Sequence, residues 1–243
     1  MSQLAFDLDY RPPAGFVPLN VLIACECSGV VRDAFLARGH NAYSCDLKRD
    51  ERGSNRHIVG DAREVVRDGT WDFLMVAHPP CTRLCNSGVR WLYGPPTKLE
   101  SEFYTADEIA AYQLMKEEDR RRFMWDGLDK GAALFSDLWN ADVPRIAVEN
   151  PVMHKHAKER IRNYQKFAQS IQPHQFGHAE SKRTCLWLKN LPKLTPTKII
   201  TEGIEHKVHM ASPGPQRAAE RSRFFTGIAS AMAEQWGGLG RLH

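Results

Sequence analysis

Two residues in this chain have the chemistry of a nucleophile and of an acid. Cys81 ends the stretch MVAHPPC, in which Pro79 and Pro80 fix the backbone and remove two N–H donors. A thiol framed in this way is held in one place. A basic neighbour such as Arg83, or a helix N-terminus, is expected to lower its pKa from the ordinary value of about 8.5. Glu149 leaves the apolar run RIAV and precedes Asn150-Pro151. A carboxyl emerging from dry surroundings has a raised pKa and can carry a proton. Read alone, each residue has a structural alternative: a small side chain packed in a turn, and a strand-end charge paired with Arg or Lys.

A second set has the chemistry of a ligand cradle. Ser28-Gly29 follows NVLIACEC, with Glu26 and Cys27 in the same turn. The glycine allows close backbone approach, and the helix that follows is expected to offer N–H groups. Only one glycine stands where a dinucleotide motif has three, so the NAD fingerprint fails. Asp46, followed by Leu47, ends a strand where a carboxylate accepts from both hydroxyls of a ribose. Asp61, followed by Ala62, either accepts from an adenine amino group or caps the helix beginning AREVV. Gly29, Asp46 and Asp61 together describe a nucleoside pocket without a pyrophosphate cradle.

The elements that must position these residues are apolar strands alternating with helical stretches. NVLIACECSG, NAYSCDL, WDFLMVAH and VPRIAVENP read as strands, with TCLWLKNL a later one. VVRDAFLARGH reads as a helix that stops at Gly39. This alternation predicts an α/β fold with a mostly parallel sheet and helices on both faces. In such sheets ligands gather beyond the carboxyl ends of the strands, where the polar residues above fall. Residues 1–18 read as an irregular arm and 19–243 as one domain. The stretch 92–130 reads as an insertion or lid on the crossover between the third and fourth of these strands. Within it Thr105 is a plausible N-cap with Glu108 three residues on, and the crossover helix resumes near Lys130. MHKHAKERIRNYQKFAQ reads as a basic helix and a final helix starts near Thr226, with Arg221 and Arg223 just before it.

The 243 residues carry a net charge of +4, compatible with a nucleic-acid or nucleotide ligand without requiring one. Six cysteines placed in and beside apolar runs suit reduced thiols, and their spacing matches no zinc framework, so no metal is expected. With no signal-peptide pattern and no long apolar span, the expected location is the cytoplasm, without membrane attachment or an obligate protein partner.

The order of a glycine turn, Asp46, Asp61, Pro-Pro-Cys81 and Glu149-Asn150 resembles the DNA cytosine-5 methyltransferase family over about residues 19–151. The blocks HPPCT, ENP and KRTCLWLKNLP are more similar still to short phage-type members. The resemblance implies a Rossmann-like methyltransferase fold with S-adenosylmethionine as cofactor. It would be held by Glu26, Cys27, Ser28, Gly29, Asp46, Leu47, Asp61, Ala62 and Pro79. It implies that the Cys81 thiolate adds to C6 of a pyrimidine while Glu149 hydrogen-bonds N3 and the amino group. C5 then takes the methyl group, loses its proton and releases Cys81. Pro80, Thr82, Asn150, Lys182 and Arg183 would face the substrate, DNA or a pyrimidine nucleotide.

The sequence departs from the family in four places. Val31 stands where a second glycine is usual, and Thr82 where many members have glutamine. Lys182 and Arg183 are the nearest match to an absent Gln-x-Arg-x-Arg block. The stretch after Glu149 is short, so the target-recognition domain is expected to be reduced or absent. The rival readings are the same chemistry on a free nucleotide, a non-catalytic nucleic-acid-binding relative, and an exocyclic amino-group methyltransferase. The last normally shows Asp/Asn-Pro-Pro-aromatic where His78 to Cys81 stand.

Overall fold

The computed structural model describes residues 10–79, 81–100, 104–205 and 224–242. Among them seven strands form one sheet: β1 (Asn20–Ala24), β2 (Asn41–Asp46), β3 (His57–Val59), β4 (Phe73–Val76), β5 (Arg145–Asn150), β6 (Gln169–Ile171) and β7 (Thr184–Lys189). Their spatial order is β3-β2-β1-β4-β5-β7-β6. The first five strands pair in parallel, and β7 runs antiparallel to both β5 and β6. Parallel neighbours require crossovers. These are α1 (Val30–Ala37), α2 (Ala62–Asp68), and α3 (Ala106–Leu114) followed by α4 (Glu117–Trp139). The described helices end with α5 (Lys155–Arg160) and α6 (Thr226–Gly237).

The two-residue period of β1 divides the core. Val21 and Ile23 meet Phe35 of α1 and Met232 and Trp236 of α6 on one face. Leu22 and Ala24 meet Leu128 and Phe135 of α4 on the other. β4 and β5 are buried along their whole length, which explains their near-continuous apolar sequence. Phe73 packs edge-on to Trp236 and Phe135 edge-on to Trp187, so each face carries an aromatic contact.

Several expectations change. The crossover helix starts at Glu117 and runs unbroken to Trp139, rather than resuming near Lys130. EEDRRRFMWD is its first half. Acidic residues in the first turn suit the helix dipole, and Arg121 and Arg122 pair with Glu117 and Asp119 one turn back. The insertion therefore shortens to the stretch before α4. In it Thr105 and Glu108 form the expected capping box on α3, and residues 101–103 lie outside the described residues.

The basic stretch after Met153 is helical only as α5. Asn163 takes a positive φ of 54°, Tyr164 and Phe167 turn in toward the core, and the Ala168 N–H joins Leu186. β6, which follows, was not anticipated because only Ile171 of its three residues is buried. The last helix does begin at Thr226. Arg221, Arg223 and Pro80 lie outside the described residues. No helix among the described residues is long and apolar enough to cross a membrane.

Candidate active site

Because β1 to β5 are parallel, their carboxyl ends share one edge of the sheet. The winding reverses between β1 and β4, which places a ligand crevice beyond those two strands. The turn after β1 is unusual. Cys25 has a φ of 58° and Gly29 a φ of 69°, so the chain curls back before α1. Glu26 is fully buried and faces the start of α1. Its Oε1 accepts from the Val31 N–H (2.8 Å) and the Ser28 hydroxyl (3.2 Å), and its Oε2 from the Arg32 N–H (3.3 Å).

This corrects the expectation that the first N–H groups of α1 face a ligand, because the chain's own carboxyl takes them. Burial pushes Glu26 up to about 7, while those N–H donors pull it back. A carboxyl at this helix start disfavours a phosphate there, which agrees with a nucleoside pocket lacking a pyrophosphate cradle.

Gly29 is required by more than its φ. A Cβ would lie 2.2 Å from Arg32 Nη2. Buried Arg32 donates to Ser44 Oγ (2.9 Å), Asp50 (2.6 Å) and Asp33 (2.8 Å), tying the first turn to β2 and the loop after it. The sequence signalled Arg32 only as one charge within an apolar helical stretch.

At the end of β2, Asp46 is half-buried and accepts from the Lys48 N–H at 2.9 Å. Leu47 beside it is 77% exposed. An apolar side chain left in the open at a ligand edge is available to cover a flat ring. Asp61 takes the capping alternative. It accepts from the Arg63 N–H at the start of α2, and the Arg63 guanidinium on its carboxylate is the largest cause holding it below the usual range. Ala62 is buried behind it.

Cys27 is half-buried, and its sulfur lies 3.8 Å from Glu51. Burial pushes Cys27 up to about 11 and Cys45 up to about 12, and it raises Cys25 and Cys185 as well. Cys45 and Cys185 are packing thiols, whereas Cys25 and Cys27 lie partly open in the turn after β1.

The ends of β4 and β5 hold the reactive residues. Pro79 is buried, and Cys81 opens a helical turn whose carbonyl accepts from the Leu84 and Cys85 N–H groups, both at 3.0 Å. Thr82 is half-buried, and its carbonyl runs so close to Gly88 that a Cβ there would lie 1.8 Å from it. Three contacts clasp this loop to the end of β5. Asn86 N–H donates to Val152 (3.0 Å), His154 N–H donates to Leu84 (3.1 Å), and His154 Nε2 bonds the Arg83 carbonyl (2.7 Å).

Glu149 is 6% exposed and faces His78, whose Nδ1 lies 4.0 Å from its Oε2. Burial pushes Glu149 up to about 7, with Lys182 opposing, and pushes His78 down to about 3. His78 Nε2 and both polar atoms of the Asn150 amide are buried with no partner among the described residues. Unpaired polar atoms of this kind are costly in a folded chain and usually mark a functional position.

The expected lowering of the Cys81 pKa does not hold. Arg83 turns away and donates to Tyr104 Oη at 2.6 Å. Cys81 is raised, first by its hydrogen bond with Cys85, then by burial and by Glu149, with Lys182 lowering it. Cys85 is lowered, chiefly because Cys81 donates to it, and further by Ser87 Oγ at 3.0 Å and the N–H groups of Ser87 and Gly88. Cys85 is buried, with its sulfur 3.0 Å from Ser87 Oγ. Lys182 acts on Glu149, Cys81 and His78, whereas Arg183 is exposed and donates to Ser170 at 3.2 Å beside β6. The structure thus brings Lys182 to the site and leaves Arg183 away from it.

No family model and no curated protein matches the sequence. Among solved structures, the chain matches the Entamoeba histolytica methyltransferase EhMeth at 13% identity and a TM-score of 0.41, over 76% of this chain and 58% of that one. It also matches an E. coli prophage protein named as a DNA modification methyltransferase, at 14% identity and a TM-score of 0.40, over 75% of this chain and 52% of that one. The chain therefore spans little more than half the length of either.

Proposed function

We propose that the protein is an S-adenosylmethionine-dependent methyltransferase that acts at C5 of cytosine in DNA through a covalent Cys81 adduct. One observation carries this reading. A thiol loop after β4 and a buried carboxyl at the end of β5 are clasped together at the ligand edge, with His78 beside the carboxyl and its Nε2 unpaired. The sheet supports it. Its order is the doubly wound 3-2-1-4-5-6 with one antiparallel strand set between the last two.

The cradle residues suit a nucleoside-bearing cofactor. Asp46 offers a carboxylate, Leu47 an apolar surface, and the Cys25–Gly29 turn a close-approach backbone whose helix start is already filled by Glu26. S-adenosylmethionine held there would supply an electrophilic methyl group. The chain's own residues do the rest. Cys81 gives up its thiol proton to water, its sulfur bonds to C6, and the C5–C6 electron pair moves to C5, making it nucleophilic. Glu149, about half protonated at neutral pH, donates to N3 and accepts from the amino group, stabilising the charge that builds on the ring. Once C5 is methylated, its proton leaves to water and the C6–S bond breaks, restoring Cys81. In duplex DNA the base must first leave the stack.

The test combines 5-fluorocytosine DNA with S-adenosylmethionine, since fluorine at C5 blocks the last elimination. A covalent adduct mapped to Cys81 is expected, and none with Cys81→Ser protein. Equal adduct formation by both proteins overturns the proposal. Methyl transfer to dCMP but not to DNA would move the substrate to free nucleotides.

A further inference from the structure

We propose that the aromatic and basic surface beyond the thiol loop seats an unpaired DNA strand, so that the substrate is single-stranded rather than duplex. This rests on the reading of the protein as a DNA methyltransferase. Three elements build the surface. The short 3-10 helix Val89–Leu92 brings Arg90, Trp91 and, just past its end, Tyr93. α4 brings Trp125, and α5 brings His156 and Arg160. Tyr93 Oη and His156 Nε2 share a hydrogen bond of 2.7 Å. The Tyr93 ring meets Trp125 edge-on with 5.9 Å between centroids, and Trp125 meets His156 edge-on at 5.1 Å. Arg160 lies over the Trp125 ring at 5.0 Å, and Arg90 over the Trp91 ring at 4.3 Å.

The core does not account for this cluster. Buried Leu128 and Ala157 belong to the core that α4 and α5 share, and the Arg160–Asp129 ion pair joins the two helices at the surface. Tyr93, at 58% exposed, adds little to that core, and Trp91, Trp125 and His156 are half-buried. Rings that fix one another and still meet solvent are suited to stacking on flat partners, with the arginines adding cation–π attraction.

The charge fits a polyanion. α5 carries Lys155, Lys158 and Arg160 against Glu159 alone. Lys155 and His156 each reach Glu159 at 3.7 Å, and Arg160 pairs with Asp129. Arg90 and Lys158 pair with no carboxylate among the described residues, which leaves them for phosphates. An unpaired strand suits the surface better than a duplex. In a duplex the base faces are stacked on one another, and what remains is edges and phosphates.

The surface is also continuous with the nucleophile loop. A relay of turns runs from the Cys81 carbonyl, which accepts from Leu84 and Cys85, to Tyr93. Within it the Gly88 N–H donates to Cys85 (2.9 Å), the Trp91 N–H to Gly88 (3.1 Å) and the Tyr93 N–H to Arg90 (3.2 Å). At a 3-10 rise of about 2.0 Å per residue, the chain from Cys81 to Tyr93 reaches at most about 24 Å. A strand site of roughly 4–16 nucleotides spans that distance. A strand lying on these rings can therefore present one of its bases to Cys81.

The experiment measures fluorescence anisotropy of a fluorescein-labelled DNA of about 12 nucleotides with a central cytosine, without cofactor. The DNA is offered single-stranded and annealed to its complement, and the same sequence is offered as RNA. Wild-type protein is expected to bind the single DNA strand at least about fivefold more tightly than the duplex. Tyr93→Ala should weaken strand binding at least about fivefold, whereas Tyr93→Phe, which keeps the ring, should stay within about twofold. Ile199→Ala removes another exposed apolar side chain, one outside this surface, and should also stay within about twofold. If Tyr93→Ala lowers the melting temperature, exposed Arg90→Ala decides instead, with an expected loss of about threefold or more. Equal or tighter binding of the duplex or of the RNA overturns the proposal, as does strand binding that ignores the deciding substitution. Strand binding that depends on Tyr93 without a 5-fluorocytosine adduct retires the methyl-transfer reading alone. An adduct from a protein whose strand binding ignores Tyr93 retires this proposal alone.

Discussion

His78 Nδ1 stands 4.0 Å from Glu149 Oε2, yet at neutral pH the two do not form an ion pair. Burial holds the imidazole neutral, down at about 3, and holds the carboxyl up at about 7. The contact is between a neutral ring and a carboxyl that is half protonated at the working pH. This is the state in which a carboxyl can both donate to and accept from a cytosine.

That balance sets the acid response of the fold. Glu26 and Glu149, both near 7, contribute stability that is fully present below about 4.5 and is lost as pH rises through 7. His40 and His78, lowered to about 4 and about 3, contribute stability present above about 6.5 and lost as pH falls through those values. The Leu19 N–H on His40 Nδ1 requires that ring to be neutral. Between pH 4.5 and 6.5 the two pairs oppose each other. Glu149→Gln should therefore make the fold more acid-sensitive. Its stability relative to wild type should fall by up to about 3 kcal/mol between pH 7 and 4.5 in urea melts. An unchanged pH profile contradicts the raised Glu149 pKa.

The catalytic demand on Glu149 is separate from its effect on stability. Glu149→Ala should slow methyl transfer by about 10²-fold or more while S-adenosylmethionine affinity stays within about twofold. Calorimetric titration together with single-turnover transfer distinguishes the two quantities.

The cradle makes its own prediction. Leu47→Ala removes the exposed apolar surface beside Asp46 and should weaken cofactor binding by about fivefold to tenfold, as expected for loss of roughly 1 kcal/mol of burial. Asp46→Asn should weaken it further, with the melting temperature unchanged because the side chain is only half-buried. Tryptophan fluorescence titration with S-adenosylhomocysteine checks both.

Gly88 offers a structural test of the thiol loop. A methyl group there meets the Thr82 carbonyl at 1.8 Å, and both partners are constrained by the turn around Cys85. Gly88→Ala should cost about 1–3 kcal/mol and disorder the Cys81 turn, observed as faster exchange of the Leu84 and Cys85 amides with solvent deuterium. Gly94→Ala is the control, since its nearest neighbour is an ordinary 4.0 Å away.

Much of this arrangement was legible in sequence because period and punctuation carry it. The apolar runs gave the strands, and their polar ends gave Asp46, Cys81 and Glu149. The residues that stayed hidden do their work through tertiary contacts. Glu26 read as a ligand contact because nothing local says that its carboxyl turns back onto Val31 and Arg32. Arg83 read as a base beside the thiol, but Tyr104, 21 residues on, holds its guanidinium. β6 was missed because two of its three residues lack the burial that makes a strand visible.

The clasp between residues 84–86 and 152–154 makes the two loops a single mechanical part. Opening either one requires breaking the Asn86–Val152 and His154–Leu84 bonds together. The amides of Asn86 and His154 should therefore exchange with solvent deuterium at a common rate, as members of one opening unit. The spacing between thiol and carboxyl then belongs to the backbone, set when the chain folds and already in place when a base arrives.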